Sequence, residues 1–256
     1  MSPRDPWQGL ARHTPARIAL GRTGASLPTA EVLKFSLAHA LARDAVHTPF
    51  DAAATGAAVR ALGFDTLDVA SAAPARDTYL RRPDLGRRLS QDSRALLAAR
   101  PPEPVDLALV VADGLSSAAV HAQAVPFLAA LKPWIAREGW TTSPVVVARE
   151  ARVALGDEVG ALLNARAVLV MIGERPGLSS PDSLGLYLTF APKVGASDAQ
   201  RNCISNVRAE GLSHEAAAFK LAWLLKEAFR RGLTGVELKD ESDEALVDGR
   251  PPLRLP

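Results

Sequence analysis

Cysteine is almost missing from this chain: Cys203 is the only one. A single thiol cannot close an internal disulfide, so packing alone must hold the fold, as in a reducing compartment. Long apolar runs are missing too. The longest, over 105–112 and 165–172, are strand-sized and fall short of the ~20 residues that a bilayer span needs. The opening MSPRDPWQGL has no apolar segment of the secretory kind. These absences lead us to expect a cytoplasmic protein with no membrane role. Nor does charge of one sign dominate, since 30 basic residues face 28 acidic ones. The Arg-rich stretch 76–94 is interleaved with Asp77, Asp84 and Asp92. It reads as a solvated face or subunit contact, and nucleic acid is not an expected partner.

Several catalytic signatures are absent. There is no G-x-G-x-x-G, no P-loop and no G-x-S-x-G elbow. His13, His39, His47, His121 and His214 are scattered, and no two are spaced i, i+4 around a glutamate, which removes the zinc-hydrolase pattern. No catalytic residue and no metal ligand is therefore predicted. What remains is an ordinary globular composition, 48% hydrophobic and 23% charged over 256 residues. That suffices for a real core in one large domain, or one domain with an appendage.

Along the chain, residues 1–30 are rich in Pro, Gly and Arg and read as an extended arm. Residues 31–100 read as a helical region. Its helices start near Thr29 (Leu33, Leu37, Ala40 and Leu41 at helical spacing), over 51–67 and over 84–99. Prolines at 101–104 make a joint. From 101 to 239 short apolar runs (105–112, 145–148, 165–172, 184–190) alternate with helical stretches (117–138, 157–164, 213–231). Ser213 is placed to cap the last helix and Gly232 to end it. Residues 240–256 read as a flexible tail. The alternation predicts an α/β fold: a Rossmann-like, mostly parallel sheet with helices on both faces, preceded by a helical N-terminal region.

Ligands of such sheets sit beyond the carboxyl ends of the strands. Two strand exits stand out, 113–116 (DGLS) and 173–177 (GERPG). Glu174 either caps the sheet edge together with Arg175 or accepts hydrogen bonds from a polar ligand. The hydroxyl-rich 179–183 is either a plain turn or part of the lining. Cys203 has no histidine nearby to activate it, so it reads as a packing residue rather than a nucleophile. The whole suggests a binding subunit without a catalytic engine of its own. A stand-alone nucleotide- or sugar-binding protein, and a purely structural assembly subunit using Arg81, Arg82, Arg87 and Arg88, are the rival readings.

Five blocks carry a family resemblance: TPARIALGRTG (14–24), YLRRPDLGRRL (79–89), ADGLS (112–116), GERPGLSSPDSLGLYLTFAP (173–192) and NCISN (202–206). In this order they resemble the small subunit of ethanolamine ammonia-lyase, across about residues 14–235. The resemblance implies a carbon–nitrogen lyase that is active only with a barrel-shaped large subunit, which binds the ethanolamine. It implies deamination to acetaldehyde and ammonia by a radical route, with adenosylcobalamin held between the subunits. Three positions carry over as cofactor-binding: Val153 in RVALGD (152–157), Glu174 in GERPG and Cys203 in NCISN. Asp44-Ala-Val-His47 lacks the spacing and glycine of the motif that donates a histidine to cobalt. The cofactor is thus expected to keep its own benzimidazole. Longer relatives carry an N-terminal segment that directs them to a bacterial microcompartment. That segment is not seen here, so the cytoplasm is the first expectation and encapsulation the second.

Overall fold

Val, Ile and Leu runs that can be buried on both sides form the central strands, and Ala-rich amphipathic stretches form the helices around them. The computed structural model describes residues 7–14, 16–101 and 103–243. In chain order the elements are α1 (Gln8–Ala11), α2 (Thr29–His47), α3 (Ala52–Ala61), β1 (Thr66–Ala70), α4 (Arg76–Arg81), α5 (Gln91–Ala98), β2 (Val105–Ala112), α6 (Ser117–Glu138), β3 (Val145–Arg149), α7 (Leu155–Leu162), β4 (Ala165–Gly173), β5 (Leu184–Phe190), β6 (Arg201–Val207) and α8 (His214–Arg231). The six strands make one sheet in the order β1-β3-β2-β4-β5-β6. β1, β3, β2 and β4 run parallel, and β5 and β6 are antiparallel additions. Helices α3, α6 and α8 pack on one face, α5 and α7 on the other. The expected α/β sheet with helices on both faces is what forms, and a helical N-terminal stretch precedes it.

Local chemistry explains the element ends. Ser213 Oγ accepts from the Ala216 N–H at 3.2 Å, and Gly232 ends α8 at φ 72°. Both match the expected cap and stop.

Four details differ from the sequence reading. The helix expected over 51–67 stops at Ala61, because Gly63 (φ 85°) closes its last turn. Thr66, Leu67 and Val69 then enter the sheet as an edge strand beside β3. The helix expected over 84–99 is broken: a short 3-10 turn (Leu85–Arg87) comes first, and α5 begins only after Ser90, whose Oγ accepts from the Ser93 N–H. Gly86 sits so close to Tyr79 and Arg152 that a Cβ there would lie 2.9 Å from both. The NCISN block, to which the sequence reading gave no element, lies on a strand, β6. Finally, Leu33 and Leu37 lie on α2 but are exposed; Ala45 is its buried residue.

Arg81, Arg82, Arg87 and Arg88 are all exposed. The first residues of the expected tail are pinned rather than free, since Lys220 donates to Asp240 (3.2 Å), Ser242 (3.1 Å) and Asp243 (2.9 Å). Residues 1–6 and 15 of the expected arm, 102 of the expected joint and 244–256 of the expected tail lie outside the described residues. Among the described residues no helix is long and apolar enough to cross a membrane, and no cluster of His, Cys, Asp and Glu could hold a metal ion.

Candidate functional site

From β2 the chain runs through α6 to β3 on one side. From β3 it runs through α7 to β4 on the other. The exits of β2 and β3 therefore leave toward opposite faces of the sheet, and a crevice opens beyond the carboxyl ends of the strands. A cleft of ≈ 460 Å³ lies there. Its floor comes from Gly114 and Leu115 after β2, and from Gly173, Glu174 and Arg175 at the end of β4. Arg152 and Val153 enter from the loop before α7, with Tyr79 from α4 and Tyr187 from β5.

The two exits touch through backbone. Leu115 N–H donates to Gly173 O at 2.9 Å. A Cβ on Gly114, which holds φ 58°, would lie 2.2 Å from Gly173 O; one on Gly173 would lie 2.0 Å from Ser116 O. Both positions need glycine for close approach, and Gly114 also for its left-handed backbone.

Glu174 is built into this floor. Ser183 Oγ and, at 3.2 Å, the Asn206 N–H both donate to its Oε2, and its own N–H donates to Ser183 O at 3.0 Å. Oε1 takes no hydrogen bond from the described residues, so one carboxylate oxygen remains as an acceptor. Arg175 is exposed and does not pair with Glu174. Of the hydroxyl loop 179–183, none lines the cleft; Ser183 reaches it through Glu174, while Pro181 O accepts from Ser116 Oγ at 2.8 Å.

Val153 and Glu174 share the cleft, whereas Cys203 is not among its lining residues. Cys203 stands opposite Tyr187 in the β5–β6 register and is exposed. Partial burial by the sheet raises its thiol pKa above the ordinary value; the Tyr187 hydroxyl opposes this and the Glu174 charge adds to it. A thiol held protonated is a poor nucleophile.

Sequence reading missed Tyr79, Arg152 and Tyr187 as members of the site. Tyr79 and Tyr187 stand inside two of the five blocks and Arg152 opens the RVALGD stretch, but one sequence does not say which of these residues meet. The Tyr79 hydroxyl donates to Ala151 O at 3.2 Å, and the ring is fully buried. The guanidinium carbon of Arg152 lies 4.3 Å from that ring's centre and that of Arg76 lies 4.9 Å away. Burial raises the phenols of both Tyr79 and Tyr187 well above their ordinary range. Arg152 Nε is buried and has no hydrogen-bond partner.

Asp113 braces the cleft from behind. Its Oδ1 accepts from the N–H groups of Gly114 (2.9 Å) and Ala151 (2.9 Å), and its Oδ2 from the Glu150 N–H (3.0 Å) and Arg76 (3.2 Å). It thereby ties the exit of β2 to the exit of β3. Burial pushes its carboxyl up to about 6, against the backbone donors and Arg76 and with help from Glu150. A further clamp ties β6 to α7: Arg201 of β6 grips Asp157 of α7 with both terminal nitrogens, one of them at 2.7 Å, and also donates to Thr189 at 3.0 Å.

The chain matches the family model "Ethanolamine ammonia-lyase light chain (EutC)" over residues 4–239. It is 59% identical over 244 residues to the ethanolamine ammonia-lyase small subunit of Pseudomonas syringae pv. tomato, covering 94% of this chain and 85% of that one. It is 58% identical over 248 residues to the protein of the same name from Azotobacter vinelandii, covering 96% and 92%. With that from Xanthomonas campestris pv. campestris it shares 58% over 248 residues, covering 96% and 91%. A match of this extent and closeness places the chain in the ethanolamine ammonia-lyase light chain family.

Proposed function

We propose that this chain is the cofactor-holding small subunit of an adenosylcobalamin-dependent ethanolamine ammonia-lyase, acting with a large subunit that binds the substrate. The observation that carries the reading is the cleft beyond the β2 and β4 exits, which brings Val153 and Glu174 to one place. The residues suit cobalamin, whose corrin is apolar on its faces and ringed by amides. Leu115, Val153 and Ile172 offer apolar contact. Glu174 Oε1 is a free acceptor for amide N–H groups, and the buried, unpartnered Arg152 Nε is a free donor for an amide oxygen. Corrin and nucleotide tail together are far larger than 460 Å³, so this chain would cover one part and a partner the rest.

When bound, the cofactor supplies the radical chemistry that turns ethanolamine into acetaldehyde and ammonia. This chain's residues bind, orient and shield. Glu174 is oriented by Ser183 and by the Asn206 N–H. Val153 packs against the ligand. Cys203 backs Tyr187 from the neighbouring strand as a neutral thiol. His47, which ends the failed histidine-donor motif, borders a different cavity, in keeping with a cofactor that retains its own base. The proposed location is cytoplasmic, with encapsulation in a microcompartment left to a localisation experiment.

The test is co-expression with a barrel-shaped large subunit. The complex is expected to retain cobalamin, read by its visible absorbance, and to release ammonia from ethanolamine. Glu174→Ala should weaken cobalamin binding about tenfold or more, as loss of an acceptor for amide donors implies, and Glu174→Gln should fall between. Unchanged cobalamin affinity in both variants would refute the assignment, and a complex that never binds cobalamin would favour a stand-alone binding protein.

A further inference from the structure

A second cavity, of ≈ 510 Å³, opens over the carboxyl ends of β1 and β3. It is walled by the α2–α3 connection, whose Phe50 ring stacks on His121 with centroids 5.5 Å apart. His121 also accepts from the Asp51 N–H at 3.0 Å, which fixes that wall. Ala73 and Pro74 make another apolar wall. Nothing in the cofactor proposal uses this space.

Its polar lining has an unmet demand. Ser117 is 1% exposed, lines the cavity, and its Oγ has no hydrogen-bond partner. Arg76 Nη2 is likewise buried and unpartnered, although Nη1 donates to Gly114 O (2.9 Å), Asp113 and Glu150, and Nε to Val46 O (3.0 Å). A guanidinium can only donate, so its missing partner must be an acceptor. Ser117 opens the 22-residue helix α6. The Ser116 hydroxyl caps the Ala119 N–H at 3.1 Å, and the Val120 N–H donates to Ser116 O. The first two N–H groups of the helix have no intrahelical partner, and its positive end favours an anion. Arg149 also lines the cavity and has no acidic partner among the described residues. The carboxylates that border it, Asp113 and Glu150, are both held by Arg76.

We propose that this cavity binds a small ligand bearing an oxyanion, a carboxylate or a phosphate, on an apolar body: the oxyanion meets Ser117, Arg76 and the start of α6, and the body lies against Phe50, Ala73 and Pro74. This site is separate from the cobalamin cleft, and its test needs no cobalamin. The full-length chain, free of cobalamin, is titrated at constant ionic strength with butyrate, inorganic phosphate and butyramide, and binding is followed by calorimetry. Saturable binding of butyrate assigns a carboxylate, and of phosphate a phosphate. Butyramide should bind at least about tenfold more weakly than butyrate, as loss of charge-assisted hydrogen bonds implies. Ser117→Ala should weaken the bound anion by a similar factor while leaving the melting temperature unchanged or raised, because it deletes an unpartnered buried hydroxyl. Arg149→Gln, at the exposed rim, should also weaken it and provides the reading should Ser117→Ala fold poorly. No saturable binding of either anion, butyramide binding as well as butyrate, or anion affinity unmoved by the variants would overturn the proposal.

Discussion

Asp113 does two jobs at once. It anchors three backbone N–H groups behind the cleft, and it does so from a buried position that disfavours its charge. The groups facing it are Arg76 from α4 and Glu150 from the end of β3, one attracting and one repelling. Its folded pKa of about 6 lies above the ordinary 3.8, so folding favours the protonated form. The stability this adds is complete below about pH 4 and is lost as pH rises towards 6, a difference of roughly 3 kcal/mol. Urea unfolding of the wild type and Asp113→Asn from pH 4 to 7 reads this directly. The wild type should lose stability relative to the variant through pH 4–6, and parallel curves would contradict the buried, raised carboxyl. Asn offers one acceptor oxygen where the carboxyl offers two, so the variant's absolute stability carries no information here.

Among elements, the clamp between β6 and α7 matters most. Arg201 and Asp157 are almost fully buried, at 2% and 1% side-chain exposure. Removing one partner strands the other charge, at a cost of about 3–5 kcal/mol. Arg201→Met should therefore lower the urea midpoint strongly, and adding Asp157→Leu should restore much of it. Equal losses in single and double variants would mean that the pair itself, rather than the stranded charge, sets the stability. This clamp also shows where the sequence stops being readable. β2, β4 and β5 announce themselves as largely apolar runs, and α8 by its serine cap and terminal glycine. β6 does not, because an edge strand in Arg201-Asn-Cys-Ile-Ser-Asn-Val buries only every third residue or so and shows polar groups between. β1 is hidden for another reason: its five residues follow an alanine-rich helix, and only the left-handed Gly63 marks the change. For the site, Glu174 was readable as a carboxylate at a strand exit. The meeting of Tyr79, Arg152 and Tyr187 was not, since it depends on a helix, a loop and a strand converging from segments more than 30 residues apart.

At the scale of the molecule, the cleft is open and too small for a whole corrin. Under the proposed function the chain alone should bind cobalamin much more weakly than the assembled enzyme, by about a hundredfold or more if the partner supplies half of the contacts. Equal affinity with and without the large subunit would place the whole cofactor site here. The cleft also has a useful aromatic composition. The chain has two tyrosines, Tyr79 and Tyr187, and both line it, while Arg76, which lies over the ring of the first, borders the second cavity. Fluorotyrosine incorporated throughout would therefore give only two fluorine resonances, both reporting on this one place. A ligand in the cleft should move both, and an anion in the neighbouring cavity should move chiefly the Tyr79 signal. The protein thus carries a built-in two-channel reporter that separates its two candidate sites without any engineered label position.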